Sequence, residues 1–138
     1  MNFEPQPRGH YELDKSLLSE RILLVHFYGA WNIETANNYI DDCFQVANRM
    51  KSKPWGIVGD LRQWEICTPD VMTHFNKNIL EFTKLNFLFE AVIPSLQLQK
   101  MIVGEHSNIA ADTPLKTQYF PAHDEALNWM RNELKAVT

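Results

Sequence analysis

Three segments in immediate succession restrict this chain most: an apolar β-rich run, an amphipathic helical segment, and a second β-rich run. Arg21-Ile22-Leu23-Leu24-Val25-His26-Phe27-Tyr28 has the continuous apolar centre of a buried strand. Gly29 ends it, and Asn32 is a residue type that caps the orphan amides of a following helix. Ile33, Ala36, Ile40, Cys43, Phe44 and Ala47 then recur at helical spacing. Glu34 lies in the first turn, while Arg49, Lys51 and Lys53 lie at or just past the last, matching the helix dipole. Pro54 stops the helix, and Trp55–Leu61 reads as a short buried strand. Two strands joined through a helix predict parallel pairing by a right-handed crossover.

The same alternation continues on both sides. His10–Asp14 reads as a first strand, joined to the next by a short turn over Leu17–Glu20. Thr68-Pro69-Asp70 is the clearest helix start, with a capping residue, a proline suited to the first helical position and an acid at the positive end. Val71, Phe75, Ile79 and Phe82 mark its inward face. Phe87–Ile93 reads as a strand ended by Pro94, Ser95 to Ser107 as a helix, and Lys116–Phe120 as the last strand. His123-Asp124-Glu125 opens a final helix that turns Ala126, Leu127, Met130 and Leu134 inward. The expected fold class is α/β, in the order β-β-α-β-α-β-α-β-α, with a mostly parallel five-stranded sheet and about four helices.

Composition narrows the function classes. At 138 residues, with no repeat or linker, a flexible leader over 1–8 and one domain over 9–138 account for the chain. Thirteen Lys and Arg against 17 Asp and Glu leave a net charge of −4, which argues against nucleic-acid binding or a polybasic membrane contact. No apolar run approaches the ~20 residues of a spanning helix, and the first residues carry no signal-peptide pattern. Two cysteines, Cys43 and Cys67, do not make a disulfide framework, so the expected setting is a reducing cytoplasm.

Three segments together resemble the STAS-like fold of the SpoIIAA-like superfamily, the bacterial anti-sigma factor antagonists and their relatives. They are the strand Ile22–Tyr28 with Gly29 and the helix from Ile33-Glu34, the segment Trp55-Gly56-Ile57-Val58-Gly59-Asp60-Leu61-Arg62, and the tail Tyr119-Phe120-Pro121-Ala122-His123-Asp124-Glu125-Ala126-Leu127-Asn128-Trp129-Met130. The tail looks like the ending of small standalone STAS/CRAL-TRIO-like proteins. The resemblance spans roughly residues 9–136 and implies a bacterial domain that recognises a protein partner or a small ligand rather than turning over substrate. In the antagonists a Ser at the start of the helix after the Asp-Leu strand is phosphorylated. Here the Asp-Ser-Ser-Gly-Leu pattern is absent and the acceptor position falls near Pro69 or Asp70, which leaves Thr68 as the one candidate phosphosite.

The candidate partner- or ligand-binding residues are Asp60, Arg62, Trp64, Thr68 and Asp70. Asp60, Arg62 and Trp64 follow a parallel strand at its carboxyl end, where open α/β sheets place ligands. Asp60 and Arg62 would orient a polar group, and Trp64 would give a flat contact. The structural alternatives are a turn cap for Asp60, a surface ion pair for Arg62 and a core-edge cover for Trp64. Thr68 is also explained as a helix cap, and Asp70 would place a fixed negative charge where relatives carry a switchable one.

Other chemistries have weaker signals. Cys67 lies just before a helix start with His74 seven residues on, but no base, orienting group or oxyanion motif accompanies it. The five histidines, His10, His26, His74, His106 and His123, show no metal-ligand spacing, and no glycine-rich nucleotide loop occurs, so no cofactor and no metal are expected. His106, Asp112, His123 and Asp124 would meet only through tertiary structure. Residues 79–103 form the densest apolar stretch, read as core with a surplus that would serve a homodimer contact or an apolar ligand. The leading expectation is a non-catalytic binding or regulatory domain. Its alternatives are a carrier of a small apolar, lipid-like ligand and, last, a thiol or acid–base enzyme using Cys67, His74 or Asp60.

Overall fold

The computed structural model of this chain describes residues 6–65, 67–95 and 112–138. Strand β1 (His10–Asp14) is followed by a 3-10 turn (Leu18–Glu20), β2 (Ile22–Gly29), α1 (Ile33–Met50), β3 (Trp55–Trp64), α2 (Pro69–Lys84), β4 (Phe87–Ile93), β5 (Lys116–Tyr119) and α3 (His123–Val137). Three α-helices therefore stand among the described residues, one fewer than the sequence suggests. The helix expected over Ser95 to Ser107, and the homodimer contact expected on it, lie outside them apart from Ser95 itself.

The five strands form one sheet in the order β1-β2-β3-β4-β5. β1 pairs with β2 antiparallel, and every other pairing is parallel. This is the pairing that strand–helix–strand spacing predicts. Asn32 caps α1 as its residue type suggests, its side chain accepting from the Thr35 amide at 3.2 Å. The other end of α1 is closed by Arg21, which sequence reasoning left as a strand flank. Its guanidinium donates to the carbonyl of Met50, the last residue of α1, and to those of Lys53 and Pro54 in the turn that follows.

Alternation along β2 and β3 sends side chains to two faces, each with its own core. Leu23, Val25, Phe27, Ile57 and Leu61 belong to a large core with α1 and α2. Ile22 and Val58 join Phe89, Ala91, Ile93 and the α3 residues Ala126, Met130 and Leu134 in a smaller one. Gly56 sets how closely α3 can approach: a Cβ there would overlap the Met130 side chain and lie 2.8 Å from the Phe89 carbonyl oxygen. Within 79–93 most of the apolar surplus is absorbed, since Ile79, Phe82, Phe87, Phe89, Val92 and Ile93 are buried, while Leu80 stays exposed.

One difference in β3 decides where the site lies. The strand does not stop at Leu61 but runs to Trp64, through an irregularity at which β3 carries an extra residue. His26 pairs with Asp60, whereas Tyr28 pairs with Gln63 and Gly29 with Trp64. Polar Arg62 and Gln63 break the apolar run without ending the ladder, because a bulge re-aims side chains while pairing resumes beyond it. Asp60, Arg62 and Trp64 therefore lie within the end of a strand, not in a loop after it.

Candidate functional site

Asp60 is 1% exposed, at the end of the regular β2–β3 ladder and on the face that carries α3. The Arg62 guanidinium folds back onto it, donating from Nε to Oδ1 at 3.0 Å and from Nη2 to Oδ2 at 2.7 Å. The Arg62 backbone N–H adds a third bond to Oδ1 at 3.0 Å. From 63 residues away, His123 at the first turn of α3 brings its Nε2 to 2.9 Å from Oδ2. His26 Nε2 lies 3.8 Å from the same oxygen, beyond hydrogen-bond length, and is buried with no hydrogen-bond partner among the described residues. His26 stacks on Tyr28 with centroids 4.3 Å apart, and Tyr28 stacks on His10 at 4.4 Å.

Burial by itself would raise the Asp60 carboxyl. The bonds from Arg62 and His123, with the nearby His26 ring, outweigh it and hold the carboxyl well below the usual carboxylate range. Asp60 is thus an ionised hub. It fixes the guanidinium and the His123 ring, both of which reach solvent, with side chains 46% and 38% exposed.

The other expected site residues do not join this hub. Trp64 is 2% exposed and belongs to the opposite core, with Phe27 at 5.2 Å and Trp31 at 5.7 Å between ring centroids. A flat surface contact shared by Asp60, Arg62 and Trp64 is therefore not formed, because the bulge returns Trp64 to the α1/α2 face. Thr68 and Asp70 are exposed at the start of α2. Thr68 occupies the cap position with extended backbone, yet its hydroxyl donates to the Asp70 carboxylate and makes no cap bond. The hydroxyl is turned toward the Asp70 carboxyl, and its oxygen accepts from none of the first amides of α2, so the expected side-chain cap is not formed.

The α1/α2 face holds the second candidate region. A cavity of about 100 Å³ lies between the sheet and the two helices, walled by Val25, Phe27, Ile40, Leu61, Phe75 and Ile79 among others. Gly59 contributes room by having no side chain, and Glu90 is the charged residue of the lining. Cys43 and Tyr39 also line it. Trp64 completes the wall, and its Nε1 is buried without a hydrogen-bond partner among the described residues. Sequence reasoning placed Ile40, Cys43, Phe75 and Ile79 on inward helix faces but had no signal for space between them and the sheet.

No known protein-family model matches the chain, and no curated protein matches it. A solved structure does: an uncharacterized protein of the DUF3478 family from Shewanella loihica PV-4, described as having a SpoIIAA-like fold. The two superpose with a TM-score of 0.66 over 94% of this chain and 99% of the other, at 16% identity. This chain has the SpoIIAA-like fold. The resemblance read from the three sequence segments thus holds at the level of architecture, and at this identity the likeness carries the fold alone.

Both cysteines are free and buried. Burial pushes the Cys67 thiol up to about 11 and the Cys43 thiol up to about 12, so each stays protonated near neutral pH and is a poor nucleophile. Among the described residues no group of His, Cys, Asp and Glu is arranged to hold a metal ion. No helix among them is long and apolar enough to cross a membrane.

Proposed function

We propose that this chain is a non-catalytic binding domain that takes a small apolar molecule into the cavity between the sheet and helices α1 and α2. The observation that carries the reading is the cavity itself: about 100 Å³ of space walled almost entirely by aliphatic and aromatic side chains. Packed interiors hold few voids of this kind, and an apolar void of ~150 Å³ stays dry and accepts benzene. That scale narrows the lipid-like ligand suggested by the CRAL-TRIO-like tail to a compact molecule of roughly ring size. The SpoIIAA-like fold agrees with a binding role, and the two protonated, buried thiols speak against the thiol-enzyme alternative.

Titration with benzene, followed by methyl NMR, tests this reading. Saturable shifts confined to Val25, Ile40, Ile57 and Ile79 are expected, with loss of binding in a cavity-filling Gly59→Val variant that remains folded. Uniform, non-saturating shifts across both cores would overturn it.

A second reading rests on the opposite face. Arg62 and His123, held by buried Asp60 and open to solvent, present fixed polar groups to a protein partner. Reversing Arg62 to Glu should abolish partner capture with little change in the α1/α2 core.

A further inference from the structure

The tryptophans of this core differ in one respect. Trp31 Nε1 donates to the carbonyls of His10 at 3.2 Å and Tyr28 at 3.1 Å, and Trp55 Nε1 donates to the Leu85 carbonyl at 2.8 Å. Trp64 is as deeply buried, at 2% exposure, yet its Nε1 has no partner among the described residues. Buried indole N–H groups ordinarily find an acceptor, because leaving a donor dry forfeits its hydration with nothing in return. The unpaired donor belongs to a residue that walls the cavity.

We propose that Trp64 determines the specificity of the cavity, its indole N–H selecting neutral apolar molecules that carry one hydrogen-bond acceptor, such as a ketone or ether oxygen. The inference rests on the cavity being a ligand site and adds the chemical class of the ligand. The other polar groups of the lining support that class. Glu90, the charged residue of the lining, accepts from the Thr117 hydroxyl at 3.2 Å. No Lys, Arg or His is among the residues described as lining the cavity. A carboxylate or phosphate ligand would lie beside the Glu90 carboxyl with no cationic side chain among the described lining residues to balance it, which a low-dielectric site penalises heavily. A pure hydrocarbon would fill the space but leave the Trp64 donor as dry as before. A neutral acceptor satisfies both conditions at once.

Cyclohexanone and methylenecyclohexane form a matched pair for the test, alike in shape and differing by an oxygen in place of a CH2 group. The ketone is expected to bind about tenfold more tightly, the usual size of one neutral buried hydrogen bond. The Trp64 indole N–H resonance should move downfield with the ketone and stay near its free position with the hydrocarbon. In Trp64→Phe the two probes should bind within about twofold of each other. Equal binding in the wild-type chain, or a preference that survives Trp64→Phe, would overturn the role of Trp64 while leaving the cavity reading intact. Failure of both probes to bind would overturn the cavity reading and this inference together. The resonance shift is read in the wild-type chain, so the test stands even if the variant folds poorly.

Discussion

Gly59 and Asp60 are neighbours in β3, yet they look into different environments. Gly59 faces the apolar cavity under α1 and α2 and contributes nothing but space. Asp60 faces the α3 side, where a single carboxylate is almost fully buried and bound to Arg62 and His123. One face thus tolerates a void beside an unpaired indole donor, while the other gathers several groups around one charge and leaves the nearby His26 Nε2 without a hydrogen-bond partner among the described residues. The contrast separates two design constraints. A buried charge must be matched fully or it destabilises the fold. An apolar void costs less and can be retained where a ligand fills it.

The largest expected effect lies on the charged face. Asp60→Asn removes the ionised hub and leaves the guanidinium and His123 with a weaker acceptor. It should lower folding stability by about 3 kcal/mol, the low end for breaking a buried ion pair, since Arg62 and His123 can turn to water. Denaturant unfolding at neutral pH measures this. A loss below about 1 kcal/mol would show the hub to be no stronger than a surface pair.

The same carboxyl sets the acid response. Its folded pKa is depressed, so its contribution is fully present above the unfolded value of about 3.9 and is lost as pH falls through the lower folded value. Wild-type stability should therefore fall on acidification below about pH 4, and Asp60→Asn should lose less over the same window. Unfolding curves for both proteins from pH 5 to pH 2 test the sign. Parallel curves would remove Asp60 as the source.

The two faces were also unequally legible in the sequence. Every described strand and helix falls near its expected place, because hydrophobic period, Pro54, the Thr68-Pro69-Asp70 start and the His123 start are local signals. Asp60 and Arg62 stood out together as neighbours in sequence. His26 and His123 did not, since their convergence depends on parallel register and on an α3 start 63 residues from Asp60. The register was the available signal: pairing the starts of the two apolar runs brings His26 beside Asp60. For Trp64 the core-cover alternative holds, and the surface-contact reading fails because Arg62-Gln63 hides a bulge that apolar patterning does not reveal. The cavity was illegible, since apolar residues that fill a core and those that line a void have the same pattern.

A smaller change sharpens the cavity side. A Cβ at Gly59 would lie 3.5 Å from Val25 Cγ2, an ordinary contact, so Gly59→Ala introduces no clash. It restricts the unfolded chain and fills part of the void. Stability should rise by about 0.5 kcal/mol, within the usual range for a compatible glycine replacement. Binding of cyclohexanone should weaken in the same variant. A rise in stability with unchanged binding would place the ligand elsewhere than beside β3.

Trp64→Phe should have the smallest effect on the empty protein, and for an instructive reason. Replacing indole by phenyl loses apolar contact with Phe27, Trp31 and Phe75, which are 5.2 to 6.4 Å away between ring centroids. It also removes a buried donor that nothing among the described residues satisfies. The first term destabilises and the second stabilises, each by about 1 to 2 kcal/mol, so the net change should be close to zero. The equivalent change at Trp55 deletes a donor already bonded to the Leu85 carbonyl, strands that acceptor, and should cost more. Thermal unfolding of the two variants side by side makes the comparison within one core. If Trp64→Phe proves as costly as Trp55→Phe, the Trp64 donor is already satisfied without a ligand, and the cavity loses its basis for choosing an acceptor-bearing molecule.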